Sequence, residues 1–198
     1  MMGLRECAVV HAVCPTLLGD LLLAATPAGL AGAWFTEGQR DTPAPDRWGA
    51  AMPGHFVLAK AARQVGEYFA GGRTRFDLPL DLSAGTAFEQ AVWRALLEID
   101  YGACTSYGAL AACIGKPAAV RAVGRAVGAN PLIVIVPCHR VLGRGGTLTG
   151  FGGGLARKVA LLRLEGWRVD GADARAKVQP IPKPSAPAHA EFEPENRS

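Results

Sequence analysis

The segment NPLIVIVPCHRV, at residues 130–141, is the most informative part of this 198-residue sequence. Residues 132–136 form a continuous apolar run rich in β-branched side chains, which predicts a short buried strand. Pro137 cannot donate a hydrogen bond to a neighbouring strand, so the strand should end there. Cys138 then lies at a strand end, where a side chain is held rigidly and can still be reached.

Cys138 and the following His139 are candidates for nucleophilic chemistry. A cysteine of ordinary pKa is mostly protonated at neutral pH, so a nucleophilic cysteine needs a base or a positive field. His139 is the candidate base. Side chains of adjacent residues in extended backbone point to opposite faces, so contact with Cys138 would need a turn or a bridging water. A buried, unreactive cysteine is the commoner alternative.

A carboxylate that could orient His139 lies further along the chain. Residues 155–166 have the apolar spacing of a helix, with Gly166 at its C-terminal end. Glu165 falls in the last turn, where the helix dipole disfavours an anion. An acid in such an unfavourable place is a candidate third member of a Cys–His–Glu relay.

The residues before this segment predict three helices. Thr86 and Glu89 have the spacing of a capping box, which opens a helix that extends to about residue 100. Residues 106–114 and 117–127 predict two short helices joined by a tight glycine-containing turn, a helix-turn-helix candidate. An ordinary helical hairpin is the alternative. The second helix combines small residues with Arg121 and Arg125, which suits close approach to a phosphate backbone.

The charge is unevenly distributed. The chain carries a formal net charge of +4, but residues 102–168 hold nine basic side chains and a single acidic one, Glu165, for a net of +8. The remainder of the chain therefore carries −4. This asymmetry indicates a polyanion-binding part joined to an acidic part. A basic, solvated surface is the alternative of equal weight.

Residues 143–154 form a glycine-rich segment between the cysteine and the last helix. The segment lacks the Lys-Ser/Thr ending of a phosphate-binding loop and the spacing of a dinucleotide fingerprint. It can present backbone amides to a bound ligand, and a flexible connector is the alternative.

The first part of the chain is β-rich. Apolar runs at residues 6–14, 21–25 and 30–35 are separated by turn residues and predict antiparallel strands. Residues 37–54 read as a loop, and residues 58–69 have helical spacing that ends at a pair of glycines. Residues 73–82 could add a strand, and residues 83–85 resemble a linker.

Composition excludes several classes of protein. A hydrophobic content of 49% rules out a wholly disordered chain, and the longest uncharged stretch is broken by proline and glycine, which makes it a poor membrane span. We see no export signal at the N-terminus. Five scattered cysteines do not form a disulfide framework, so we expect a reducing cytoplasm.

Four segments together resemble the O6-alkylguanine-DNA alkyltransferases. The segment at 130–141 is similar to that family's active-site segment, and Pro-Cys-His-Arg in this setting is highly specific. The segments at 86–102, 105–131 and 150–166 are similar to its first C-terminal-domain helix, its helix-turn-helix, and its substrate loop with final helix. The resemblance is strong from Thr86 onward and weaker before it.

The resemblance implies an α/β fold of two domains. Residues 1–82 would form a ribonuclease-H-like domain with an antiparallel sheet and a helix, and residues 83–85 the linker. Residues 86–170 would form a mainly helical, winged-helix-like DNA-binding and alkyltransferase domain with the helix-turn-helix. Residues 171–198, which include five prolines, read as a disordered tail.

The resemblance also implies a reaction: stoichiometric, irreversible transfer of the O6-alkyl group of guanine in duplex DNA to a cysteine, after minor-groove binding and nucleotide flipping. By position, Cys138 is the nucleophile, His139 activates it through a water, and Glu165 orients His139. Asn130 is the hinge before the active-site segment, and Tyr107 supports the rotated nucleotide and the departing guanine.

Further roles follow from the same resemblance. Arg121 is the finger that fills the gap left by the extruded base. The implied DNA contacts are Arg121, Tyr107, Gly108, Lys116 and Arg144, and the implied substrate contacts are Val141, Phe151 and Gly152. Phe151 departs from a tyrosine found in many members, and Gly152 from a serine found in some.

The implied partner is double-stranded DNA carrying O6-alkylguanine, bound by a monomer with possible cooperative assembly on DNA. No cofactor is needed, because the thiolate is consumed. Some members bind zinc in the N-terminal domain; here Cys7, His11 and Cys14 do not make the family's set, and we expect no metal. Three rivals remain: a lesion-binding relative that lacks the cysteine, a winged-helix regulator, and a cysteine hydrolase.

Overall fold

The computed structural model describes residues 9–44, 49–171, 173 and 176–180. Its N-terminal part is a four-stranded sheet of β1 (Val10–Cys14), β2 (Leu21–Thr26), β3 (Gly29–Phe35) and β4 (Ala50–Ala51). The strand order is β3-β2-β1-β4, in which β1, β2 and β3 pair antiparallel. The short β4 pairs parallel with β1 and lies inside the predicted loop at 37–54. The three antiparallel strands are as the sequence predicts.

One helix, α1 (Phe56–Phe69), covers one face of this sheet. Its buried residues recur at helical spacing, so a single stripe of the helix meets the strands. The members of that stripe are Leu58, Ala61, Gln64, Val65, Tyr68 and Phe69. Gly71 follows in the left-handed region, with φ 75°, which a glycine adopts without steric cost.

The strand considered for residues 73–82 is reduced to a single bridge between Leu30 and Leu80. Leu30 donates its amide to the Pro79 carbonyl at 2.8 Å, and Asp81 donates to the Leu30 carbonyl at 2.8 Å. Pro79 has no amide hydrogen, so a longer ladder cannot run through this position.

The second part of the chain is mainly helical. It contains α2 (Ala87–Leu97), α3 (Tyr107–Cys113), α4 (Val120–Gly128) and α5 (Leu155–Leu164). The capping box is confirmed, since Thr86 and Glu89 each bind the other's backbone amide. A 3-10 turn at Pro117–Ala119 precedes α4, so α3 and α4 form the predicted helix–turn–helix pair. Two short parallel strands, β5 (Thr105–Ser106) and β6 (Val141–Leu142), join the segments before α3 and after Cys138.

The prediction of a strand at residues 132–136 is wrong. This segment is buried, as expected, but it is a turn in which Val136 donates to the Leu132 carbonyl at 2.8 Å. Val134 has a positive φ of 73°, which a regular strand does not allow. Only the start of the segment pairs with the sheet, through a bridge between Ala33 and Leu132. An apolar run therefore predicts that a segment is buried, but it does not distinguish a strand from a buried turn.

Ordered structure continues past residue 170, where the sequence places the start of a tail. Strand β7 (Trp167–Val169) pairs antiparallel with β8 (Val178–Pro180). Val178 and Ala176 are buried against Leu148, Val159 and Val169. The remaining predicted tail, residues 181–198, lies outside the described residues. In the part of the chain that the structure describes, no helix has the length and apolar character needed to span a membrane.

Candidate active site

Asn130 holds the turn that leads to the cysteine. Its side-chain amide donates to the Val136 carbonyl at 2.9 Å and to Cys138 Sγ at 3.1 Å. Its Oδ1 accepts from the Leu132 amide at 3.0 Å. These three bonds close the turn that replaces the predicted strand, and they fix the sulfur relative to it. Asn130 was predicted to be a hinge, and it lies in contact with the sulfur.

A 3-10 turn at Cys138–Arg140 positions the cysteine and its neighbours. All three of its residues are buried, with Cys138 6% exposed and His139 fully buried. Because this backbone is a turn and not an extended strand, the Cys138 and His139 side chains need not point to opposite faces, as the sequence predicts for a strand. Phe151 presents its ring to His139 edge-on, with centroids 6.4 Å apart.

His139 and Glu165 are in direct contact. His139 Nε2 lies 2.9 Å from Glu165 Oε1, and both side chains are fully buried. Glu165 directly follows α5, where the helix dipole opposes its charge. Arg140 compensates, since its Nη2 lies 2.8 Å from Oε1 and its Nε lies 2.9 Å from Oε2. Tyr68 of α1 also donates to Oε1 at 2.8 Å, so the N-terminal part supports the same carboxylate.

These contacts set the charge on each group. Burial alone would raise the pKa of Glu165, but hydrogen bonds from His139 and Arg140 and the positive charge of Arg140 outweigh it and lower the pKa to about 2. Burial lowers the pKa of His139 from 6.5, and the contact with Glu165 only partly opposes this. The pair is therefore a neutral imidazole beside a carboxylate at neutral pH.

The tautomer of His139 follows from this charge state. An ionised carboxylate only accepts hydrogen bonds, so Nε2 carries the proton and Nδ1 carries the lone pair. Nδ1 is buried and has no hydrogen-bond partner among the described residues. It is thus the atom able to take up a proton. Burial raises the pKa of Cys138, although Asn130 and Lys158 partly oppose this, so the sulfur is a thiol at rest.

Lys158 is a site residue that the sequence analysis missed. It is fully buried on α5, and its ammonium donates to the Val141 carbonyl at 2.6 Å and to the Thr149 carbonyl at 3.4 Å. Burial lowers its pKa to about 8. A lysine is almost never fully buried unless its amine is paired, and no sequence pattern marked this one. It joins the segment after Cys138 to the glycine-rich loop.

Tyr107 is in contact with the glycine-rich loop that follows Cys138. Tyr107 is the first residue of α3, and its hydroxyl lies 2.9 Å from Thr149 Oγ1. Val141 is buried and is paired with Thr105, whereas Gly152 is partly exposed. The side chain of Gln39 approaches this loop, since a Cβ placed on Gly152 would lie 4.0 Å from Gln39 Nε2.

The remaining predicted residues lie on the surface. Gly108 on α3, Lys116 in the turn, Arg121 on α4 and Arg144 in the glycine-rich loop are all exposed. Arg125, also on α4, is exposed too. The helix pair therefore presents several positive charges to solvent next to the turn that holds the cysteine. Such a surface suits a phosphate backbone.

Among the described residues, no group of three or more His, Cys, Asp or Glu side chains could hold a metal ion. Of the candidates named from the sequence, Cys7 lies outside the described residues. Cys14 is buried, and its pKa is raised by burial.

The fold and site combine a buried cysteine, an adjacent buried His–Glu pair and an exposed basic helix pair, and comparison with known proteins identifies the class of protein to which these features belong. Residues 87–167 match the family model described as 6-O-methylguanine DNA methyltransferase, DNA binding domain. Residues 9–82 match the ribonuclease-like domain of the same enzyme. This chain belongs to the methylated-DNA–protein-cysteine methyltransferase family, which confirms the resemblance seen in the sequence.

Individual relatives cover most of the chain. The methylated-DNA–protein-cysteine methyltransferase of Mycobacterium tuberculosis is 50% identical over 148 residues, which are 75% of this chain and 87% of that protein. The Methanosarcina acetivorans protein of the same name is 43% identical over 156 residues, which are 79% of this chain and 97% of that protein. A crystal structure of M. tuberculosis OGT in complex with DNA has a TM-score of 0.73 at 46% identity, covering 79% of this chain and 92% of that one.

Proposed function

We propose that this protein repairs DNA by transferring the alkyl group from O6 of guanine in duplex DNA to Cys138. The observation that carries the proposal is the buried contact of His139 Nε2 with Glu165 Oε1, 2.9 Å long, directly beside the cysteine in a member of this family. That contact leaves Nδ1 of the residue adjacent in sequence to Cys138 without a hydrogen-bond partner among the described residues, while burial raises the pKa of the Cys138 thiol.

The reaction proceeds in one displacement. His139 Nδ1 takes the proton of the Cys138 thiol through a water, and Glu165 stabilises the imidazolium that forms. The thiolate attacks the alkyl carbon in line, a carbon–sulfur bond forms, and the bond from carbon to guanine O6 breaks. The electron pair of that bond stays on the guanine, which accepts a proton and remains in the DNA strand as an ordinary base. The proton held by the His139 imidazolium then replaces, through water, the proton that the donor gave, so the reaction is neutral overall. Tyr107 is the proposed donor to the departing guanine.

Backbone groups define the base pocket. We assign hydrogen bonds to the guanine to the backbone at Cys138, Val141 and Gly152, with Phe151 supplying an apolar wall. Lys158 holds the Val141 and Thr149 carbonyls together and so keeps this pocket in shape. Asn130 keeps the sulfur at the base of the pocket.

DNA binding uses the surface of α3 and α4. We propose that this helix pair enters the minor groove, where small side chains on α4 permit close approach. The alkylated nucleotide is flipped out of the duplex, which costs a few kcal/mol. Arg121 fills the gap that the base leaves, and Gly108, Lys116 and Arg144 contact the backbone beside it.

The proposal includes the consequences of a stable thioether. Each molecule repairs one lesion and is consumed, and no cofactor takes part. We propose a monomer, with cooperative assembly on DNA as a possible mode. We also assign the N-terminal part to the ribonuclease-H-like class, on the basis of its sheet and the covering helix α1. We assign the C-terminal part to the winged-helix-like class, on the basis of the α3–α4 pair and the antiparallel strands β7 and β8.

Stoichiometry tests the proposal. A duplex containing O6-methylguanine is titrated with the protein, and the remaining lesion is measured after the reaction has stopped. We expect repair to end when one lesion per protein molecule has disappeared. Continued loss of lesion at a fixed amount of protein would indicate a turning-over hydrolase instead, and an unchanged lesion would refute repair.

A further inference from the structure

Arg157 on α5 connects the two parts of the molecule. Its Nε donates to the Leu18 carbonyl at 2.8 Å, and its Nη1 donates to the Glu37 carbonyl at 2.9 Å. Leu18 precedes β2, and Glu37 follows β3, so both acceptors belong to loops at one end of the N-terminal sheet. A planar guanidinium is suited to several acceptors at fixed angles.

The N-terminal loops are shaped to receive this side chain. The guanidinium carbon of Arg157 lies 4.1 Å from the centroid of the Phe35 ring, within cation–π range. A Cβ added at Gly19 would lie 3.1 Å from Nη2, and one at Gly38 would lie 3.3 Å from Nη1. Both glycines have positive φ, of 108° and 69°. An aromatic face and two side-chain-free loop positions therefore surround one guanidinium.

The same guanidinium also holds the active-site loop. Nη1 of Arg157 donates to the Gly153 carbonyl at 3.1 Å. Gly153 itself is tightly enclosed, because an added Cβ would lie about 3 Å from Phe151, Phe35 and Ile133. Phe151, two residues earlier, presents its ring to His139. A continuous set of contacts thus runs from the N-terminal sheet through Arg157 to the wall of the reaction site.

The contacts argue for positioning rather than for charge pairing. The three oxygen acceptors are backbone carbonyls, so the interaction depends on the geometry of the fork and not on a partner carboxylate. Two of the acceptors lie in the N-terminal part and the third in the glycine-rich loop. Loss of the Arg157 guanidinium would therefore remove the link between Gly153 and the N-terminal loops at Leu18 and Glu37.

From this we infer that Arg157 is a positioning residue through which the N-terminal domain holds the loop at residues 151–154 over His139 and Cys138. The inference rests on the proposed alkyl transfer and adds a function for the N-terminal domain in it. The loop is fixed before the lesion arrives, so the alkylated base enters a pocket already formed. Displacements of about 1 Å at a reaction site cost up to a hundredfold in rate.

The test compares Arg157→Met with Arg157→Lys and with Arg163→Met, which removes a guanidinium from the exposed side of the same helix. Single-turnover rates are measured with an O6-methylguanine duplex at saturating concentrations and with free O6-benzylguanine, well below each variant's melting temperature. We expect Arg157→Met to lower both rates about tenfold to a hundredfold. Affinity for an undamaged duplex should stay unchanged, Lys should restore part of the rate, and Arg163→Met should react like the wild type.

Hydrogen exchange and a second variant separate positioning from folding. We expect Arg157→Met to exchange faster in a peptide covering residues 150–155, and Phe35→Leu to give a smaller effect in the same direction. A lower melting temperature with unchanged rates and unchanged loop exchange would overturn the inference, as would a loss confined to duplex binding. An unreactive wild type would instead refute the proposed function, so the two failures are distinguishable.

Discussion

Arg140 and Glu165 form a buried ion pair in which the guanidinium contacts both carboxylate oxygens, at 2.8 and 2.9 Å. The pair solves an electrostatic problem, since Glu165 follows the C-terminus of α5, where the helix dipole is unfavourable for an anion. The ionised carboxylate can then accept the proton of His139 Nε2. The arginine next to the histidine thus stabilises the carboxylate on which the histidine depends.

Removal of one member of this pair should be costly. We expect Arg140→Met to lower the free energy of unfolding by about 3–5 kcal/mol, because it leaves a buried carboxylate without its main counterion. Arg140→Met with Glu165→Gln should be less destabilised than the sum of the two single changes. Denaturant unfolding measures this, with Arg168→Met as control, since its exposed pair with Asp170 should contribute about 1 kcal/mol or less. Equal losses for both arginines would contradict the burial argument.

The pH dependence of the reaction should report on His139. Its folded pKa lies below 6.5, so the base is neutral at higher pH and is lost as the pH falls through the folded value. We expect the rate with free O6-benzylguanine to decline only below pH 6.5, in a profile measured from about pH 5 to pH 8. The stability that this histidine contributes is lost over the same acid range.

A matched variant identifies the group whose protonation causes this decrease in rate at low pH, the acid limb of the profile. Glu165 raises the His139 pKa, so Glu165→Gln should move the limb to lower pH while it reduces the rate. A limb centred above 6.5, or one that Glu165→Gln leaves in place, would show that another group controls the reaction.

Arg121→Ala should separate DNA distortion from chemistry. Only the duplex requires a filled gap, so we expect a loss of about tenfold or more with the O6-methylguanine duplex and little change with free O6-benzylguanine. Arg125→Ala removes the same charge from the same helix and should mainly weaken binding to any duplex and reduce the salt dependence of that binding. Equal losses of Arg121→Ala with both substrates would discard the finger assignment.

The C-terminal strand should contribute to stability. Val178 is 8% exposed and packs in the cluster with Leu148 and Val169, so Val178→Asp buries an unpaired carboxylate. We expect a loss of about 2 kcal/mol in the free energy of unfolding. Gln179→Asp on the exposed side of the same strand should change it by about 0.5 kcal/mol or less. Equal effects would show that β8 does not pack as described.

Local signals in the sequence predicted much of this molecule. The Thr86–Glu89 capping box, the helical spacing of α1 and the turn residues between the strands each act over a few positions, so a single sequence can reveal them. The residue types around Cys138 suggested His139 and Glu165 as its partners before the resemblance implied the same roles, and the structure places His139 and Glu165 in contact.

Other features depend on contacts between distant residues. The run at 132–136 is as apolar as a strand, but the Asn130 side chain supplies the hydrogen bonds of a turn. In the sequence, nothing distinguishes Lys158 from a surface lysine, because the Val141 and Thr149 carbonyls that bind its ammonium come near it only in the folded chain. The supporting contact of Tyr68 with Glu165 spans 97 residues of sequence, and no local pattern encodes it.

The central claim is that Cys138 is the acceptor of the alkyl group. Intact-mass analysis followed by peptide mapping, after incubation with excess O6-methylguanine duplex, tests it most directly. We predict that a single methyl group replaces one hydrogen, that it lies on the peptide containing Cys138, and that Cys138→Ala acquires none. An unmodified wild type, or equal modification of Cys138→Ala, would contradict the account.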